Sequence, residues 1–371
     1  MRRSTFAAMS VAVLLAGVTS RTATLDLPFQ PVSGYLPALL GRLAVPVESQ
    51  VAVFSSASAQ AHLVSAENPR VIYFSDDVSV AWVRGSRTIE IAKADPTRGL
   101  AFYTVRQDEH QQPALMPGEG CERCHQSSAT LGVPGLITHS TFDGGNPQVV
   151  ITDHRTPLQQ RWAGWYVTGR SSGWKHQGNR VGQGWLLSLY DQFYDDGYLG
   201  KYSDIVALMV MEHQARMTNL LDLLRTQIRN DAPAQARAKT VSDVVGYMLF
   251  ADETSLPARI IGTSGFTEYF ETLGPRDRQG RSLRQFDLKT RLFKYPLSYM
   301  VYSTSFQRLP LAAKNAIYDQ IIAVLSDDLE RHALLEILSE TEPDFQARLR
   351  RVRLPAGSSH RETGGTRSSS S

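Results

Sequence analysis

The chain has 371 residues and two cysteines, and both cysteines fall in one pentapeptide, Cys121-Glu122-Arg123-Cys124-His125. No disulfide can therefore link distant segments, and one between these two would close too small a ring to add much stability. The pattern C-x-x-C-H is the signature for covalent attachment of c-type haem. Two cysteines one turn apart can each form a thioether to a haem vinyl group, and the histidine that follows is placed as an axial ligand. Other readings of the cysteine pair are weaker. A zinc site usually needs four ligands, there is no second pair, and His139 is too far along to complete a finger-like loop. A thioredoxin-type dithiol would follow a strand and open a helix, whereas Met116-Pro117-Gly118-Glu119-Gly120 reads as a loop. One covalent haem c, held by Cys121, Cys124 and His125, is the expected cofactor.

The N-terminus fits that chemistry. Met1-Arg2-Arg3 precedes an apolar run from Phe6 to Val18, the charged and apolar regions of a signal peptide over residues 1–20, with cleavage near Ser20. The run is too short for a firm membrane span. The alternative is an uncleaved anchor helix. A twin-arginine signal would need Phe6 one position earlier, and no cysteine follows the run to carry a lipid. The expectation is a soluble periplasmic protein with no stable membrane span after cleavage. Net charge is +3, and no Lys/Arg run is interleaved with aromatics, so no nucleic-acid partner is expected. The tail, residues 355–371, is rich in Gly, Ser, Thr and Arg and cannot bury enough surface to order itself.

Between these ends the pattern is α+β. Residues 21–110 read as an N-terminal antiparallel β part. Val71-Ile72-Tyr73-Phe74 is a short strand, Val78, Val80 and Trp82 alternate, Gly85-Ser86 turns, Ile89 and Ile91 alternate again, and Leu100 to Val105 continues the sheet. Residues 111–200 form the central haem segment, with a further strand at Val149 to Thr152 and an unassigned stretch, dense in Trp, Tyr and Gly, from Arg161 to Trp185. Residues 201–354 are helical. Ser203 is the expected N-cap of a helix carrying Val206, Met209, His213, Met217, Leu220 and Leu224 at helical spacing. Thr240 with Asp243 and Ser282 with Gln285 mark two more helix starts as capping boxes. Pro310 opens another, and a short helix around Leu334 to Leu338 closes the fold. The motif lies between sheet and helices, so both parts are expected to line one pocket.

No methionine occurs between Met116 and Met209, so the second iron ligand is expected to be a histidine, with an empty sixth position as the other possibility. The candidates are His213, flanked by Met209 and Met217, which pack well against flat aromatic surfaces; His176, in a loop; His154, beside Asp153 and Arg155; and His139. His154 also suits a distal acid/base or a haem-propionate contact. Each of them has a plain reading as a hydrogen-bonded core or surface histidine. Arg155 and Arg161 are candidate partners for haem propionates, against the plainer reading of an ion pair. Trp162, Trp165 and Tyr166 would pack on the porphyrin or simply form core.

The stretch from Cys121 through Gly135, with Thr152-Asp153-His154-Arg155-Thr156-Pro157, Trp165-Tyr166-Val167-Thr168-Gly169, Met211-Glu212-His213-Gln214 and Phe286 to Leu292, resembles a cytochrome c domain-containing family of exported bacterial monohaem proteins. The likeness runs from about Arg70 to Glu340. It implies a c-type haem and a periplasmic location, and carries a role over only to Cys121, Cys124 and His125. The chain departs from the family pattern at Gln177, where a methionine would follow His176. The function expected from all this is electron transfer with a redox partner protein. The alternatives are an oxidoreductase of peroxidase type, with His154 or His176 and Arg155 at an open iron, and a haem-based sensor or accessory protein. A cofactor-free dithiol is the reading without haem.

Overall fold

A computed structural model of the chain describes residues 23–55, 60–95, 97–142, 148–172, 174–193, 196–326 and 331–353. The expected signal peptide (1–20) and tail (355–371) lie outside the described residues.

The N-terminal half is built on an antiparallel sheet. Its strands are β1 (Ala23–Thr24), β2 (Val51–Val53), β3 (Arg70–Phe74), β4 (Val78–Val83), β5 (Thr88–Asp95), β6 (Gly99–Arg106) and β7 (Ala114–Pro117). They are ordered β1-β7-β6-β5-β4-β3-β2, β1 being a two-residue stub at one edge. The period-two pattern explains the sheet. Val71, Val80, Trp82, Ile89, Ile91 and Val105 all fall on one face and are buried there. That face is covered by helix α1 (Leu36–Leu43) through Leu36, Leu39 and Leu40, and by Leu189, Phe193 and Tyr198 of a long loop. Gly85, at φ +83°, makes the turn between β4 and β5, a conformation that a side chain resists.

The opposite face divides. Val51, Val53 and Phe74 join the core of the helical half. Arg70, Glu90, Phe102, Thr104 and Met116 share this face by register and lead to the cysteine motif, which forms the short helix α2 (Glu122–His125). A small hairpin follows, β8 (His139–Phe142) paired with β9 (Gln148–Ile151).

The helical half is organised by α3 (Ile205–Arg229), buried on every side from Ile205 to Ala215, as befits a helix running through a core. Around it stand α4 (Ala234–Met248), α5 (Phe266–Thr272), α6 (Thr304–Gln307), α7 (Leu311–Ser326), α8 (His332–Thr341) and α9 (Pro343–Arg353). The fold is α+β, as the sequence indicates. No helix among the described residues is long and apolar enough to cross a membrane.

Three helix starts differ from the sequence reading. The cap of α3 is Asp204, which accepts from the amides of Val206 and Ala207. Ser203 instead donates to the Tyr166 carbonyl and accepts from Ala52, tying the helix to the sheet. Helix α4 begins at Ala234, so Thr240 lies inside it with its hydroxyl on the Ala236 carbonyl. No helix follows Ser282. Gln285 does accept from the Ser282 amide, but Asp287 then draws the amides of Lys289 and Thr290 into a turn.

Candidate haem-attachment site

The motif is held against both halves of the fold. The Gly118 amide donates to the Phe102 carbonyl (2.9 Å), laying the chain along β6 just before the cysteines. A Cβ at Gly118 would stand 2.8 Å from Cys121 Sγ and 3.1 Å from the Phe102 backbone, so the close approach of Cys121 to the sheet requires glycine there. The ring of His125 packs on Phe102 with centroids 4.9 Å apart. On the other side, Asn219 of α3 accepts from the Leu136 amide (2.9 Å) and donates to the Leu136 carbonyl (2.8 Å). Gly135 is pressed against it, since a Cβ there would lie 2.4 Å from Asn219 Oδ1. Asn219→Ala should therefore free the loop after the motif. Two backbone groups lose their partner, an expected cost of about 1–3 kcal/mol, read as a shift in the urea midpoint.

His125 is prepared as a ligand. Its Nδ1 donates to the Gly135 carbonyl (2.8 Å), and the Gly135 amide donates back to the His125 carbonyl (2.8 Å). With the proton on Nδ1, the lone pair sits on Nε2, which makes no hydrogen bond among the described residues. This is the tautomer and orientation that a second-shell carbonyl imposes on metal-bound histidines. Burial holds the imidazole below its ordinary range, so it is neutral at pH 7. Both cysteines are free thiols, Cys121 half-buried and Cys124 exposed. Burial, with Glu90 nearby, pushes the Cys121 thiol up. That is the reverse of the depressed thiol of a redox dithiol. Donor set, tautomer and thiol state all fit a covalently attached haem, with Cys121 and Cys124 as the thioether sites and His125 as the axial ligand.

The other sequence candidates lie elsewhere. His213 is fully buried and both its nitrogens are engaged, Nδ1 with His154 Nδ1 (2.8 Å) and Nε2 with Ser298 Oγ (2.8 Å). Ser298 Oγ also accepts from the Met300 amide, and since a hydroxyl can accept twice it either donates to His213 Nε2 or accepts from it. One proton bridges the two Nδ1 atoms, and the buried His154 Nε2 makes no hydrogen bond among the described residues. Tyr247 and Phe250 stack on both rings. Burial lowers His154 to about 3 and His213 well below its ordinary value. The pair is a neutral polar bridge inside the core, in which both nitrogens of His213 are engaged and His154 is engaged through Nδ1.

His176 sits among Trp162, Trp174 and Trp185, with the Trp185 ring 4.7 Å away. Its Nδ1 accepts from the Gly178 amide (3.0 Å), so Nε2 carries the proton and neither nitrogen offers iron a lone pair. The Arg155 guanidinium forks onto Asp153 (3.1 and 2.6 Å) and lies over Tyr247. Arg161 is buried, donating to Glu212, Thr156 and His154. Both arginines thus take the ion-pair reading. Trp162, Trp165 and Tyr166 are core residues. No group of three or more His, Cys, Asp or Glu able to hold a metal ion occurs among the described residues.

Sequence reasoning missed Phe102, Gly118, Gly135 and Asn219. Gly135, within Gly132-Val133-Pro134-Gly135, carried a visible turn signal, whereas nothing in the pattern of α3 singles out Asn219. Comparison with protein-family models, with curated proteins and with solved structures finds no match to this chain.

Proposed function

We propose that the chain is an exported monohaem c-type cytochrome acting in electron transfer in the periplasm. The observation that carries the reading is the state of His125, with Nδ1 bound to the Gly135 carbonyl and Nε2 free, one residue after the second of two free thiols. The group such a motif holds supplies a one-electron ferric/ferrous couple. The residues around it do the rest. Thioether bonds to Cys121 and Cys124 would keep it attached through redox cycling. The Gly135 carbonyl fixes the imidazole plane and raises its basicity. Phe102 buttresses the ring from the sheet side. The exposure of Cys124 favours a haem edge at the surface, where a redox partner protein can approach. A peroxidase-type oxidoreductase would need His154 or His176 and Arg155 at an open iron, and the Arg155 guanidinium is already forked onto Asp153.

The test is production of the full chain with a haem-maturation system, followed by intact mass after denaturation. The mature chain is expected to gain the mass of one haem. Cys121→Ser and Cys124→Ser should each reduce the covalently retained fraction, and the double variant should abolish it. A wild-type chain with no covalent haem would overturn the reading and leave the dithiol. Fractionation of the host cells tests the periplasmic location.

A further inference from the structure

We propose that His139 is the sixth, distal iron ligand, and that the face of the β8–β9 hairpin on which it stands forms the wall of the haem site opposite His125. The inference rests on the haem reading above. Its first support is placement. The hairpin is rooted beside the proximal ligand: Gly135 binds His125, Leu136 is clamped by Asn219, and Thr138 already pairs with Thr152 through two hydrogen bonds (2.9 and 2.7 Å). Four residues separate Gly135 from His139, so their Cα atoms are at most about 14 Å apart. That reach is sufficient for two imidazoles on opposite sides of one iron.

The second support is the hairpin surface. By register His139 stands opposite Ile151 and Thr141 opposite Val149, so these four share one face. Val149 is 54% exposed and Ile151 39%. Two β-branched apolar side chains on one strand, both open to solvent beside a half-buried imidazole, form an apolar surface that a flat hydrophobic group would cover. The opposite face is seated on the body of the protein, Ser140 donating to the Gln160 carbonyl.

The third support is the histidine itself. Its Nδ1 meets only the Thr141 hydroxyl (3.1 Å), which can accept as readily as donate. When Nδ1 donates, Nε2 holds the lone pair, which the fixed partners of His176 and His213 do not permit. Met116, 41% exposed on the sheet face that carries Phe102, is the thioether against which His139 is tested.

The experiment uses full-length protein shown by mass to carry covalent haem. The wild type should give a low-spin absorption and electron paramagnetic resonance spectrum. His139→Ala should lose it, become high-spin and take up cyanide and carbon monoxide. Free imidazole should restore the low-spin spectrum to His139→Ala, which a merely structural role would not allow. Met116→Leu should remain low-spin. A haem-loaded wild type that is high-spin overturns the inference while the proposed function stands, and so does a His139→Ala protein that stays low-spin. If His139→Ala fails to fold, a high-spin wild type or a Met116→Leu protein that turns high-spin still overturns the inference. Absence of covalent haem would overturn the proposed function and this inference with it.

Discussion

Replacing Arg161 by leucine should cost about 3–5 kcal/mol of stability, the largest single-site effect expected in this chain. Arg161 is 1% exposed and Glu212, its partner at 3.3 Å, is equally buried. The guanidinium also donates to the Thr156 carbonyl (2.8 Å) and the His154 carbonyl (2.7 Å), tying together a segment whose regular structure is one short 3-10 turn, Leu158–Gln160. Leucine would leave the Glu212 carboxyl in the core without its cation and two carbonyls without their donor. The readout is the midpoint of guanidinium unfolding, compared with Glu212→Gln and with a double replacement by apolar residues of similar volume. The double variant should recover much of the loss, because a buried pair is costly to break but close to neutral to replace as a whole. If Arg161→Leu unfolded within about 1 kcal/mol of the wild type, the pair would not be the clamp described here.

Acid should unfold the protein through its neutral core histidines, and the sign follows from their folded state. His154 falls from 6.5 to about 3 and His176 to about 4, both by burial, and burial also holds His213 well below its ordinary value. Between those values and 6.5 the unfolded chain binds protons that the folded chain does not. Stability is therefore complete above pH 6.5 and drains away as the pH falls, with His154 alone contributing up to about 5 kcal/mol. The geometry adds a reason. With 2.8 Å between their Nδ1 atoms, His154 and His213 can hold only one proton between them, so a second must break the bridge. Glu212 acts in the opposite sense. Burial, opposed by Arg161, pushes its carboxyl up to about 7, so its contribution is whole below 4.5 and is lost as the pH rises through 7. The two trends give a stability maximum on the weakly acid side of neutrality. Urea unfolding from pH 4 to 8 should show it, and His154→Gln should flatten the acid limb. An unchanged acid slope in that variant would mean that protons are taken up elsewhere.

The sheet was legible because alternation is enforced by burial. Ile89 and Ile91 face the core because their neighbours Thr88 and Glu90 cannot. Helix α7 was legible because Pro310 can stand only before the first turn. The proposed haem site was named from five residues, since covalent attachment would need both thiols and the imidazole adjacent in sequence. What failed shares one cause. The apolar spacing around His213 picks out no face, because α3 is buried all round over that stretch and a histidine there is inside whichever way it points. Ser282 and Gln285 do make the hydrogen bond of a helix start, but local geometry does not ensure that a helix follows. His154 stood out for the acid and base beside it, His176 as a loop histidine and Arg155 as a guanidinium suited to a carboxylate. In the structure their partners are His213, the Gly178 amide and Asp153, and of these only His213 is distant in sequence.

Strand β9 also bears on the life of the chain before maturation. Among the described residues its one strand partner is β8, so one row of its N–H and C=O groups is left without a ladder, and Val149 and Ile151 stand open beside it. Neither a proline nor a charged residue interrupts Gln148-Val149-Val150-Ile151. Such an edge is a template for pairing with a second chain. On the proposed function, a molecule still awaiting haem would face a race between loading and self-association, and its yield would follow the supply of haem before any property of the finished fold.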